Sequence, residues 1–328
     1  MDNYIGHPAQ LLDVRRFELR EGKAKGVSCI EVQNSQGLSV TILEDRCMDL
    51  GGLRYQGVNY AYQTACGIVA PEYYYGGEDS FFRNFGGGMM ATCGLDNTGP
   101  GCTVDGREYY RHGLIGNIPA EHVSAVRGGS GAYETVTVKG EVHQTCFMQE
   151  YLTLKREYEF RDNSPAFTIR DRIRNDGYQS APYVIMYHFN AGYPLLSESA
   201  RVEIPAKRVW PRSGNMEEME GYGLISPPDP GWKPQAFFHD METGERDRAE
   251  IRIYNEKLHM GLLLGFDREA LPKLVQWKLF RPGEYVMGIE PCTALPYGRK
   301  RLLEQGIMPV LEPGEEKEIE ILVCPYEG

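Results

Sequence analysis

No run of apolar residues in this 328-residue chain approaches the roughly 18 that a membrane-crossing helix requires. The opening MDNYIGHPAQ has no basic region followed by an apolar core, so no secretory leader is expected. Cations are the minority, with 35 Lys and Arg against 46 Asp and Glu. The resulting formal charge of -11 argues against nucleic acid or an anionic membrane as a partner. It leaves room for a small substrate held by a local basic patch. The eight cysteines (29, 47, 66, 93, 102, 146, 292 and 324) form no CxxC pair and no zinc-knuckle spacing. Free thiols in a cytoplasmic protein are the simplest account of them. A GxGxxG after a strand, a GK[ST] phosphate loop and a GxSxG elbow are all missing, which removes the usual signs of dinucleotide, nucleotide or serine-esterase chemistry.

Convincing helices are also scarce; residues 267–271 suffice for one turn. What fills the chain is period-two alternation. Val27, Cys29 and Glu31 followed by Leu38, Val40 and Ile42 read as a hairpin around residues 34–37. TVTVKGEVHQT, YLTLKREYEF and FTIRDRIRNDG follow at roughly ten-residue spacing as a meander. Further strands are expected at 182–189, 201–209, 249–255, 258–266, 271–280, 285–291 and 317–325. Many short strands without βαβ alternation predict an all-β fold, one sheet system spanning residues 1–328 as a single domain. Residues 65–106 stand apart, dense in glycine and aromatics. They are expected either to connect strands or to line a site, because long loops in compact proteins are often functional. The 21 tyrosines suit half-buried strands and equally suit a pocket that stacks on sugar rings.

The chemistry converges on two apolar runs. VMGIEPCTALPYGR delivers Glu290 at a strand end before Pro291, and VIMYHFNAG carries His188 and Asn190. A buried approach to an acid is a way to hold a general base rigidly. His112 lies in RHG beside a glycine-rich segment, and His239 sits next to Asp240. Arg46, Asp49, Arg83 and Arg111 flank the glycine-rich stretch and could hold hydroxyls or an anion through their forks or carboxylate. A histidine and a carboxylate on facing strands suit anomer exchange. A base removes the anomeric proton, an acid protonates the ring oxygen, and the sugar reopens and recloses without metal or nicotinamide. A metal site from His112, His188 and His239 with a carboxylate is the competing arrangement.

HG at 112–113, VIMYHFNAG at 184–192 and LGFDREALPKLVQWKLFRPGEYVMGIEPCT near the end together resemble the galactose-mutarotase-like superfamily, the aldose 1-epimerases, from about residue 27 to residue 323. The resemblance implies an antiparallel β-supersandwich with an open carbohydrate-binding cleft. It assigns Glu290 as general base on the anomeric hydroxyl, His188 as general acid at the ring oxygen, and His112 to bind and polarise the sugar. The family's Asn-Arg pair stands reversed here as Arg83–Asn84, and its substrate-clamping aspartate corresponds to Asp240. No cofactor is implied, and the partner is a small carbohydrate bound by a monomer or a homodimer. The alternatives are an isomerase acting on a modified sugar with the same acid–base pair, and a carbohydrate-binding protein without chemistry.

Overall fold

The computed structural model describes residues 3–129, 133–241 and 248–328. Two large antiparallel sheets face one another. The eleven-stranded sheet runs Leu12–Glu18, Ser28–Asn34, Leu38–Leu43, Asp49–Tyr55, Met90–Leu95, Val184–Gly192, Glu284–Cys292, Lys273–Arg281, Gln235–Met241 and Ala206–Pro211, with Val58–Asn59 appended to its fourth strand. The eight-stranded sheet runs Glu121–Gly129, Glu134–Thr145, Tyr151–Arg161, Phe167–Asn175, Glu316–Glu327, Met260–Asp267, Arg248–Asn255 and Ala200–Glu203. The meander expected from alternation is the middle of this second sheet, with register pairs such as Val138↔Tyr158 and Tyr158↔Ile169.

Alternate residues of both sheets interdigitate in one core. Val32, Val40, Leu50, Tyr187, Phe189, Leu274 and Phe280 from one side meet Val138, Leu154, Tyr158, Ile169, Leu262 and Ile321 from the other. The strand Val184–Gly192 is buried at every position, so its outer face is covered as well. That outer face carries His188.

Residues 65–106 are more ordered than a connection. They hold the short helix Glu78–Asn84 and the strand Met90–Leu95, which pairs directly with the His188 strand. Small residues and burial on both faces erase the alternation that would have marked this strand. Glycine is required at two of its contacts. A β-carbon on Gly94 would lie 2.2 Å from the carbonyl oxygen of Val184, and one on Gly113 2.1 Å from that of Gly94. Residues 267–271 make only a turn, with the Leu271 amide donating to the Asp267 carbonyl, while a second short helix, Arg299–Glu304, follows the Glu290 strand.

A charged network ties the two sheets together below this region. Arg156, 1% exposed, donates from Nε and Nη2 to Asp171 at 2.9 and 2.6 Å. Its Nη1 donates to Asp49 Oδ1, Thr92 Oγ1 and the Cys47 carbonyl at 3.2, 2.8 and 3.0 Å. Thr92 gives both its amide and its hydroxyl to Asp49, and the Tyr187 hydroxyl donates to Asp171 at 2.7 Å. Thr92 and Tyr187 are register partners beside His188. The network therefore underlies the two strands that carry the site.

Candidate active site

His188 and Glu290 lie on neighbouring strands, in register through Phe189↔Ile289 and Asn190↔Gly288. Both side chains point to the outer face of the larger sheet. His188 Nε2 and Glu290 Oε1 stand 3.1 Å apart, at 6% and 3% residue exposure. Although they are close, the contact is not aligned as a hydrogen bond. Glu290 Oε1, His188 Nδ1 and the nearby Asn190 Oδ1 have no hydrogen-bond partner among the described residues. Buried polar atoms are seldom left so, and a cluster of them points to a bound molecule or water completing the set.

Burial acts on both groups in the direction of neutrality. It pushes Glu290 up to about 8, partly opposed by the Arg212 guanidinium, and holds His188 down to about 4. A neutral carboxyl beside a neutral imidazole holds one transferable proton.

The space around the pair depends on Gly288. A β-carbon there would lie 2.6 Å from Glu290 Oε1, 3.0 Å from His188 Cε1 and 3.3 Å from Trp277 Cβ. Gly288→Ala is expected to keep the fold and lower turnover on the order of 10²-fold, because a displacement of about 1 Å at reacting groups has that effect. Turnover measured alongside the circular dichroism spectrum checks it, and an unchanged turnover would remove Gly288 from the site.

His112 approaches from the other side. Its φ of 57° is left-handed, held by its amide donating to the Gly99 carbonyl at 3.0 Å and its carbonyl accepting from Gly94 at 2.9 Å. The ring lies 4.9 Å from Phe81 and 6.2 Å from His188, centre to centre. The Gly99 amide donates to Nδ1 at 3.4 Å, which leaves Nε2 as the protonated nitrogen. Burial, the His188 ring and two arginines, Arg111 and Arg212, hold His112 well below the usual imidazole range. It is thus a neutral hydrogen-bond donor rather than an acid.

The remaining residues singled out in the sequence separate into groups. Asn190 is fully buried and donates from Nδ2 to the His188 carbonyl at 2.8 Å. Arg46, Asp49 and Asn84 line a small recess with Thr92, Phe85 and His112. In that recess Arg46 reaches the Val69 and Asn84 carbonyls at 3.3 and 3.5 Å. Burial raises Asp49 to about 6, with Arg156 the main opposing influence.

Arg83 and Asn84 end the helix Glu78–Asn84 on different faces. Asn84 is buried and donates to the Ser80 carbonyl, whereas exposed Arg83 stands 3.9 Å from Asp79. Arg111 is bound to Glu78 and covers the Phe82 ring at 5.2 Å. Asp240 lies on the cleft face, 3.7 Å from Lys273 Nζ and one row along from Glu290. His239 faces the other way, through the sheet, where Nε2 meets the Tyr222 hydroxyl at 2.9 Å. The three histidines are therefore not brought together. Among the described residues no group of three or more His, Cys, Asp or Glu is arranged to hold a metal.

Three contributors escaped the sequence reading. Trp277 lies 5.6 Å edge-on to His188, and Phe85 lies at the same distance with its ring tilted. Arg212 follows the strand Ala206–Pro211, its amide donating to the Ala236 carbonyl at 2.8 Å. Nothing local to WPRSG marks it, because the register of four strands is what carries it over the site.

Fold and site together define a member of the galactose-mutarotase-like superfamily. A solved Klebsiella pneumoniae protein, provisionally assigned as an aldose 1-epimerase, superposes with a TM-score of 0.91 at 25% identity over 96% of this chain and 84% of that one. A galactose mutarotase-like protein from Clostridium acetobutylicum (TM-score 0.69, 14% identity, 97% and 99% covered) shares the fold. So does a galactose 1-epimerase from Lactobacillus acidophilus (TM-score 0.62, 14% identity, 97% and 99% covered). No curated protein sequence matches. A family model described as a domain of unknown function, DUF4432, matches residues 24–323, and the chain belongs to that family.

Proposed function

We propose that this chain interconverts the anomers of a monosaccharide or sugar derivative, without a cofactor, using Glu290 and His188. The observation that carries the reading is the buried pair itself: two titratable groups 3.1 Å apart, each with an atom left for a ligand. Moving the shared proton from carboxyl to imidazole leaves a carboxylate base and an imidazolium acid with the proton count unchanged. Glu290 then takes the anomeric hydroxyl proton while His188 delivers its own to the ring oxygen, and the sugar opens. Rotation about the single bond between the exposed carbonyl carbon and its neighbour, followed by reversal of both transfers, closes the other anomer and restores the pair. The neutral His112 Nε2–H donates to a sugar oxygen and steadies its developing charge. A cytoplasmic setting suits the eight free cysteines.

The pH dependence follows from proton counting. Below about 4 the pair gains a second proton and loses its base; above about 8 it loses its only proton and has no acid. Catalysed exchange is expected to follow a bell with limbs near those values, measured as kcat/KM against pH after subtraction of the uncatalysed rate. A profile rising steadily through pH 9 would remove Glu290 as the proton holder. The function itself is tested by anomer-exchange NMR on a panel of neutral and acidic sugars. Saturable binding with no exchange would favour the binding-protein or isomerase alternatives.

A further inference from the structure

We propose that the sugar carries an anionic group, a carboxylate or a phosphate, on a carbon remote from the anomeric centre, and that Arg212 binds it. The inference rests on the sugar-site reading above and names the substrate class for it.

The register of four strands places Arg212 relative to the reacting end of the cleft. Arg212 is bonded to Ala236, Ala236 pairs with Trp277, Trp277 with Gly288, and Gly288 with Asn190. Arg212, Ala236, Trp277 and Gly288 thus form one row across the sheet. Alternation puts this row on the face that carries His188 and Glu290. The row spans roughly 14 Å, three inter-strand spacings. Its intermediate members are instructive: Ala236 has almost no side chain, Trp277 offers a broad ring, and Gly288 leaves the reacting end open. A pyranose lying over Trp277 would have its anomeric end at Glu290 and its far end toward Arg212.

Arg212 has no hydrogen bond or ion pair from its guanidinium among the described residues, unlike its cationic neighbours on the lip. Arg111 is held by Glu78 and Lys273 by Asp240. An arginine fork left without a carboxylate, in a chain of net charge -11, is poised for bidentate capture of an anion. Arg111 lies close enough to Arg212 to disfavour its charge, and an anion beside Arg212 would relieve it. Among the described residues Glu290 is the carboxyl whose charge bears on Arg212, and burial keeps it protonated near neutrality. It does not cancel the guanidinium charge.

The experiment compares glucose and galactose with their uronates and 6-phosphates, using wild type, Arg212→Gln and Arg212→Lys. Anomer exchange gives kcat/KM, and calorimetry gives the affinity of each sugar and of inorganic phosphate. The expected result is that one anionic sugar exceeds its neutral parent by on the order of 10- to 100-fold, the effect of a hydrogen-bonded charge. In Arg212→Gln that ratio should fall toward one, and Arg212→Lys should keep part of it. The uronate and phosphate arms identify which anion is meant.

Neutral parents turned over as well as the anions, or a ratio indifferent to Arg212, would overturn the anion assignment and leave the mutarotase reading standing. Arg212-dependent binding of an anionic sugar with no exchange would do the opposite. Neither binding nor exchange would overturn both. Because Arg212 is exposed, its replacement is expected to leave the fold intact, checked by thermal unfolding.

Discussion

Glu290→Gln is expected to abolish anomer exchange, lowering kcat by on the order of 10²- to 10⁴-fold while sugar affinity changes little. Glutamine keeps the size and one acceptor oxygen but cannot take a proton, so the substitution removes a step rather than a surface. General acid–base catalysis contributes rate factors of this order. Glu290 is buried, nearly neutral and unbonded at Oε1, so an uncharged replacement of similar shape should not strain the strand. A loss confined to kcat identifies an interaction made only in the transition state. Equal losses in affinity would instead mark Glu290 as a sugar-binding group. His188→Gln should cost about as much, and the double substitution should add little to either alone, because the two side chains share one proton.

The second large effect concerns stability. Arg156→Met is expected to destabilise the protein by about 3–5 kcal/mol, because Asp171 and Asp49 would be left in the interior without their shared cation. Urea unfolding followed by fluorescence checks the size. The double substitution Arg156→Met with Asp171→Leu should recover much of the loss, since removing the stranded charge is often nearly neutral where removing its partner is not. The sign of pH dependence also follows. With Arg156 gone, the largest influence that opposes burial at Asp49 is lost, leaving Thr92 and Arg46, so its titration should move above its present value of about 6. If the single substitution costs no more than a surface change, the network is not what holds the two sheets in register near His188.

Much of the architecture was legible because half-buried strands advertise themselves. Tyr151–Arg161 and Phe167–Asn175 alternate between core and solvent, and their pairing follows from that pattern. Strands covered on both faces do not alternate. Val184–Gly192 could still be read as an apolar run, but Met90–Leu95, built from small residues in glycine-rich surroundings, could not. The adjacency of His188 and Glu290 was approachable for a related reason: a polar residue interrupting an otherwise apolar strand needs an explanation. His239 fits the same description, yet it points through the sheet to Tyr222, because two residues of equal local character differ only in parity along their strands. Arg212 had no local signature at all, since its place depends on three successive pairings. Asn84 and Arg83 could not be ranked until the short helix fixed which of them faced inward.

The strand Leu12–Glu18 has a consequence for how the molecule behaves in a crowded solution. It closes one margin of the larger sheet, covering Ser28–Asn34 through seven register pairs. Ser28–Asn34 contains buried Cys29, Ile30 and Val32 and only Glu31 as a charge, a sequence that would readily recruit a strand from another molecule. The strand that covers it is DVRRFE after its first leucine, with Asp13, Arg15, Arg16 and Glu18 spread along an exposed margin. Charge of both signs at that border makes edge-to-edge stacking unfavourable while leaving the apolar interior beneath it unchanged. The outermost strand thus acts as a gatekeeper against aggregation, a duty separate from anything performed at the cleft.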